Sequence, residues 1–159
     1  MTRKNIKGNV ITVILYVAVL LGVVILGGYN VKDIKEVRKA EKTLNNLMEL
    51  RNALEEYYKL TNRYPELSRV GVKDNLKLLD YRDEKGRVIS FAKIYGHDSI
   101  PKTSGTEELL ESNYVYDTSD FSNGSNNGGW NFDFSKNTGE IHANLPNNAY
   151  SQGINWSEY

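Results

Sequence analysis

The feature that most constrains this chain is one long apolar stretch near its beginning, Val10 to Tyr29, VITVILYVAVLLGVVILGGY. No charged residue occurs between Lys7 and Lys32. A helix rises about 1.5 Å per residue, so about 20 residues match the thickness of a bilayer's hydrocarbon core. The stretch therefore predicts a transmembrane helix. It is too long for a cleaved secretory signal, whose apolar core has about 7 to 15 residues.

The charges on either side of this stretch predict its orientation. Arg3, Lys4 and Lys7 lie on the short N-terminal side with no acidic residue among them, whereas residues 32–36 mix both signs. Positively charged flanks remain in the cytoplasm. We therefore expect a cytoplasmic N-terminus and an extracytoplasmic C-terminal part.

Composition argues against several functional classes. The chain has 20 basic and 20 acidic residues, so it has no general basic field to attract nucleic acid. It contains no cysteine, which removes disulfides and thiolate metal sites. His97 and His142 lack the paired spacing of a zinc site, and neither belongs to a pattern typical of a catalytic triad. We expect neither an enzyme nor a nucleic-acid partner.

A second helix pattern follows the apolar stretch directly. Residues 31–61 contain no proline or glycine. Their apolar positions recur every three or four residues, which predicts an amphipathic helix over residues 31–62 that continues the membrane helix. These positions are Ile34, Val37, Ala40, Leu44, Leu47, Leu54 and Tyr58.

The end of this helix is marked by Asn62-Arg63-Tyr64-Pro65. Asn62 is expected to cap the helix, and Pro65 biases the preceding residue away from helical geometry. Within the helix, Arg51 and Glu55 lie four residues apart on the apolar stripe, which predicts an ion pair.

Beyond the helix, the pattern predicts a short helical segment near residues 75–79 and one short strand over residues 88–94. Residues 114–116 predict another strand, and the polar loop of residues 122–129 is expected to be mobile and too polar to pack.

The clearest strand pattern lies in the last third. Trp130, Phe132 and Phe134 alternate with polar residues, and residues 140–145 alternate again after a turn, which predicts a half-buried β-hairpin. Trp130 should fill the core, and Trp156 and Tyr159 should pack back onto the sheet. The fold class is α+β, with a long N-terminal helix packed on a small C-terminal antiparallel sheet.

Three stretches, in this order, resemble the type IV pilin superfamily, in particular pseudopilins of type II secretion systems and minor pilins. The first is Arg3 to Gly8, RKNIKG, which is similar to a prepilin leader. The second is Leu54 to Pro65, LEEYYKLTNRYP, similar to the end of the family's helix. The third is Gly128 to Asp133, GGWNFD, with Thr138 to Ile141, TGEI, similar to the family's aromatic strand and following turn.

The resemblance implies a domain plan and a set of partners. Residues 1–8 would be the basic leader, 9–29 the transmembrane and assembly helix, and 30–159 the pilin-like extracytoplasmic domain, with its β-rich head at 64–159. Prepilin peptidase would cut after Gly8 and methylate the new amine of Asn9. The protein would cross the bacterial inner membrane once and join a periplasmic or surface filament of pilin or pseudopilin subunits. The expected contacts with other subunits lie at Val10, Ile14, Val17, Leu21 and Val24.

Two positions depart from the family's pattern. The family usually has an aromatic residue directly after the cut and glutamate at the fifth mature position, where this chain has Asn9 and Val13. One explanation is a minor or tip subunit with no neighbour above it to pair with. The other is an uncut leader on a membrane-anchored binding module, which would present its sheet and aromatic tail to a glycan or protein ligand.

An oxygen-rich segment follows the strand at residues 114–116. Asp117, Ser119, Asp120, Ser122 and Asn123 lie close together in the sequence. Such clusters are more often solvated loops, and the spacing does not match an EF-hand. Because some pseudopilins bind calcium in a comparable loop, the resemblance implies calcium as a candidate cofactor, with Asp117 and Asp120 as candidate ligands.

Overall fold

The described chain combines one long N-terminal helix and several short helices with two small sheets, so the predicted α+β class is confirmed. The computed structural model describes the backbone of residues 3–159 and the side chains of residues 16–28 and 31–159. Of Gly8 only the backbone is described, and the side chains of Asn9, Val10 and Ile14 lie outside the described residues.

Helix α1 spans Arg3–Thr61. It begins in a first unit, Met1–Glu36, and continues into a second, Val37–Tyr159. By length and composition, the described part of α1 includes a segment that could cross a membrane. The predicted continuation of the apolar stretch into the amphipathic stretch as one helix is confirmed.

In the second unit, one face of α1 forms part of the core. Leu47 and Leu54, which the three- and four-residue spacing predicts on this face, are at most 1% exposed. Leu50 and Tyr57, which lie outside the predicted set, are also buried, whereas the predicted Ile34 is 53% exposed. The predicted cap at the helix end is also confirmed, because Asn62 has φ 55° and its N–H donates to the Tyr58 carbonyl over 2.7 Å.

Short elements connect α1 to the main sheet. Two 3₁₀ helices, Val72–Asp74 and Leu76–Leu79, confirm the helical segment predicted near residues 75–79. Strand β1, Tyr81–Arg82, pairs antiparallel with β2, Val88–Ile89.

The predicted strand over residues 88–94 is wrong beyond Ile89, because helix α2 spans Phe91–Tyr95. Its buried residues Phe91, Ala92 and Tyr95 have helical spacing. Gly96 ends the helix with φ 83°, and its N–H donates to the Ala92 carbonyl.

The main sheet has three strands in the order β3-β4-β5, namely Val115–Asp117, Trp130–Phe132 and Ile141–Ala143. The predicted hairpin is confirmed as the antiparallel pair β4 and β5, although Phe134 lies beyond the strand. The expectation of a wholly antiparallel sheet is wrong, because β3 pairs with β4 in parallel.

The sheet is not half-exposed as its alternating pattern predicts. Asn131, Asp133 and His142, which the pattern places on the polar face, are at most 5% exposed. The loop after β3 covers this face, since the Phe121 ring lies 4.2 Å from the His142 ring. An alternating sequence shows that one face of a strand is polar, but not what covers that face. Here it is covered by protein rather than by water.

The polar loop of residues 122–129 packs through one asparagine. The side chain of Asn144 accepts the Asn126 N–H over 2.8 Å and donates to Ser125 Oγ over 2.9 Å and to the Gly128 carbonyl over 3.1 Å. The prediction that this loop is too polar to pack is therefore wrong at these residues.

The C-terminal tail also packs on the head. Trp130 and Trp156 are fully buried, as predicted, and Trp156 meets the Tyr150 ring edge-to-face at 5.4 Å. Tyr159, in contrast, is 50% exposed.

The predicted ion pair between Arg51 and Glu55 is wrong. The Arg51 guanidinium donates to the Ile141 carbonyl over 2.8 Å and also to the Tyr159 carbonyl, whereas Glu55 pairs with Lys59 at 3.9 Å. Helix spacing places two side chains within reach, but here a carbonyl from another element competes for the donor.

The buried tyrosines predict that the folded protein loses stability at high pH. Burial raises the pKa of Tyr57, and burial followed by the charge of Glu49 raises the pKa of Tyr95. Above about pH 10 the unfolded chain loses tyrosine protons that the folded chain keeps, so stability should fall as pH rises. We expect Tyr95→Phe to lose less stability than the wild type between about pH 9.5 and pH 11.5 in denaturant titrations.

The control for this experiment is Tyr114→Phe, because Tyr114 is 56% exposed. This variant should follow the wild-type curve. An alkaline loss in Tyr95→Phe as large as in the wild type would contradict the assignment to Tyr95.

Candidate functional site

The candidate assembly surface is the apolar part of α1 over residues 16–28. Of the predicted contact residues described there, Val17 is 50% exposed, Leu21 57% and Val24 69%. A helix that is apolar all round is buried in protein or in a membrane. Gly28 follows Val24 by four residues on the same side of the helix, and a Cβ atom built there would meet nothing within 4 Å of the described residues. Because glycine has no side chain, it allows another helix to approach closely at this point.

Two of the sequence stretches that resemble the pilin family contact each other in the head. The Tyr64 ring stacks on Tyr58 with centroids 4.6 Å apart. A Cβ atom on Gly139 would lie 2.1 Å from an atom of the Tyr64 ring. The end of α1 thus packs against the turn after β4, at a point that only glycine fits.

The glycines before Trp130 make a second close contact. Gly129 has φ 81°, and a Cβ atom there would lie 2.3 Å from the Tyr114 carbonyl oxygen. The N–H of Trp130 donates to that same oxygen over 2.7 Å. Gly129 therefore lets β3 lie beside β4. In the sequence, the Gly-Gly pair is the only sign of this role.

Asp117, one candidate calcium ligand, is bonded to the turn after β4. Its carboxylate accepts the N–H groups of Phe134 and Ser135, each over 3.1 Å, and the Ser135 hydroxyl. Burial acts to raise the pKa of Asp117, but the hydrogen bonds from Ser135 and Phe134 outweigh it, so the pKa is lowered. The carboxylate joins β3 to the hairpin turn.

Asp120, the other candidate ligand, organises its own loop. Its carboxylate accepts from Asn123 Nδ2 over 2.7 Å and from Ser122 Oγ over 2.8 Å, and these bonds lower its pKa. Within the described residues, no group of three or more His, Asp or Glu side chains could hold a metal. Calcium binding stays a prediction.

The two histidines have different surroundings. His97 packs against the Tyr95 ring at 4.8 Å. His142 places Nε2 3.0 Å from Glu140 Oε1, and its Nδ1 is buried without a hydrogen-bond partner. The expectation that the protein is not an enzyme stays untested.

No known protein family, curated protein or solved structure matches this chain. The likeness to pilins therefore depends on the three sequence stretches and on the order of elements.

The Tyr64 contact predicts a specific cost for Gly139→Ala. A Cβ atom at Gly139 would force the Tyr64 ring away from Tyr58, in addition to straining a backbone with φ 70°. We expect a loss of about 3 kcal/mol in the free energy of unfolding. The matched control is Gly153→Ala, which has the same φ of 70° and no atom within 4 Å, and should cost about 1 kcal/mol.

Denaturant titration of the three proteins measures the difference. Equal losses in Gly139→Ala and Gly153→Ala would mean that the Tyr64 ring moves aside freely.

Proposed function

We propose that this chain is a structural subunit, a pseudopilin or minor pilin, of a type II secretion or type IV pilus-like filament, and that it assembles through α1. The observation that carries the proposal is the bare apolar surface of α1 over residues 16–28, in a chain whose second unit packs α1 on a small sheet. An apolar helix of this kind remains in lipid until other helices cover it.

The spacing on this helix favours one contact face. Val17, Leu21 and Val24 lie four and three residues apart, so they fall on the same side. Helices in lipid associate through close packing of such side chains, with glycine allowing the backbones to approach. Gly28 lies on this side of the helix, four residues after Val24, whereas Gly22 lies on the opposite side.

The mature N-terminus is the first test. In cells that contain prepilin peptidase, mass spectrometry should find a chain that begins at Asn9, with or without an N-methyl group. Gly8→Val should keep the leader, whereas Lys4→Gln should not, because only the cut site is altered. An intact Met1 in the wild type would contradict processing and favour the membrane-anchored module.

Cross-linking tests assembly directly, because the chain has no native cysteine. Leu21→Cys should form disulfide-linked dimers in oxidised membranes of cells that carry the assembly ATPase, and fewer dimers without that ATPase. The control is Val70→Cys, a residue 96% exposed on the second unit, which should link no more than background. Equal dimer yields from the two variants, with and without the ATPase, would contradict the proposal.

The membrane-anchored binding module remains the second candidate, favoured by Asn9 and Val13 at the two positions that depart from the pilin pattern. Its ligand surface would differ from the one predicted, since Trp156 is buried and leaves the tail only Tyr159. Tyr114 and Tyr116, at the strand β3, are instead 56% and 37% exposed.

A further inference from the structure

An open cleft in the second unit has no part in the proposed assembly. Its volume is about 460 Å³, within the usual range for small-ligand sites. It lies between α1 and the segment of residues 104–111. The lining comprises Arg38, Lys39, Lys42, Ser104, Gly105, Thr106, Leu109, Leu110 and Glu111.

The cleft carries an excess of positive charge. Three basic residues of α1 face one acidic residue, Glu111, across the lining. Among the described residues, neither the Arg38 nor the Lys42 side chain makes an ion pair or a hydrogen bond. These two side chains lie four residues apart on one side of α1, where like charges repel. An anion bound between the two side chains would be attracted by both positive charges and would offset the repulsion between them.

The opposite wall offers a neutral donor. Thr106 Oγ1 accepts the N–H of Glu108 over 3.2 Å and that of Leu109 over 3.0 Å. Because the oxygen's lone pairs are engaged by these two groups, the hydroxyl hydrogen remains to be donated. Ser104 adds a second hydroxyl to the lining.

We propose that this cleft binds a phosphate-bearing anion between Arg38 and Lys42, with Thr106 as a further donor. The planar guanidinium can give two parallel hydrogen bonds to phosphate oxygens, and the ammonium adds a compact charge. Glu111 would repel a second anion, which favours a single phosphate group.

The same chemistry is found in free phosphate and in a phospholipid headgroup. Leu109 and Leu110 also line the cleft, and Leu110 is 88% exposed, so an apolar surface lies next to the cations. The proposal concerns the phosphate group and does not depend on filament assembly. The experiment therefore uses both sources.

The test is isothermal titration calorimetry on the purified full chain in a neutral detergent, at constant ionic strength. Inorganic phosphate and dihexanoyl phosphatidic acid are titrated separately. The double variant Arg38→Gln/Lys42→Gln should bind at least about tenfold more weakly than the wild type. The control Lys85→Gln/Lys136→Gln removes the same charge at exposed positions of the head and should bind within about twofold of it.

Each outcome bears on the proposal. Saturable binding of inorganic phosphate that depends on Arg38 and Lys42 supports it, and binding of phosphatidic acid alone with the same dependence supports it with the lipid as the source. Equal weakening in both double variants would mean general charge attraction and would overturn it. No saturable binding of either ligand by about 10 mM would also overturn it. Thermal midpoints of the variants check that each remains folded.

Discussion

Gly129→Ala should destabilise the head by about 4 kcal/mol, the largest effect expected of any single methyl group in this chain. The added Cβ atom would lie 2.3 Å from the Tyr114 carbonyl oxygen and 3.1 Å from its carbonyl carbon. Both atoms belong to the backbone, so no side-chain rotation relieves the contact. Relief requires β3 to move away from β4, which breaks the 2.7 Å hydrogen bond from the Trp130 N–H to Tyr114.

The backbone conformation alone would cost far less, and Gly86→Ala isolates that part. Gly86 has φ 79°, close to the 81° of Gly129, and a Cβ atom there would meet nothing within 4 Å. We expect it to cost about 1 kcal/mol. Denaturant titration followed by tryptophan fluorescence compares the two variants. If Gly129→Ala costs no more than Gly86→Ala, β3 is not held against β4 as described.

The sequence could predict the elements whose causes are local. The spacing of Leu47, Leu54 and Tyr58 was enough for the amphipathic part of α1, and Asn62 for its end. The alternation around Trp130 and the turn that follows were enough for the β4–β5 hairpin. In each case the residues that determine the element are neighbours in the chain, so periodicity carries the information.

The sequence could not predict contacts between distant segments. The parallel pairing of β3 depends on Gly129 meeting Tyr114, and a Gly-Gly pair alone does not say which strand approaches. The burial of Asn131 depends on a loop whose composition is typical of solvent exposure. Asn144 makes that burial favourable by bonding to the loop, which no pattern within β5 reveals.

The same distinction divides the candidate sites. The apolar surface of α1 is evident from composition, because no contact elsewhere is needed to define it. The cleft beside Arg38 and Lys42 is not evident, since Thr106 comes to it from a distant part of the chain. The sequence makes Asp117 a candidate metal ligand, whereas its hydrogen bonds to Phe134 and Ser135 are evident only once β3 is paired with the hairpin.

Removing the Trp130 side chain should have an effect of similar size. Trp130 is fully buried, and its Nε1–H donates to the Pro101 carbonyl over 2.7 Å. Trp130→Ala should cost about 4 kcal/mol in the free energy of unfolding, because it leaves a cavity and an unpaired carbonyl. The measurement is denaturant titration followed by circular dichroism, which does not depend on the missing fluorophore.

Two phenylalanine variants separate the hydrogen bond from the packing. Trp130→Phe loses ring volume and the bond to Pro101. Trp156→Phe loses ring volume but also removes a buried N–H that has no hydrogen-bond partner among the described residues, which offsets part of its cost. Both tryptophans are fully buried, so the cavity costs should be similar. We expect Trp130→Phe to be less stable than Trp156→Phe by about 1 to 2 kcal/mol. Equal stabilities would show that water hydrates the Pro101 carbonyl once the indole is removed. A carbonyl that stayed buried and unpaired would instead lower the stability of Trp130→Phe by its full desolvation cost.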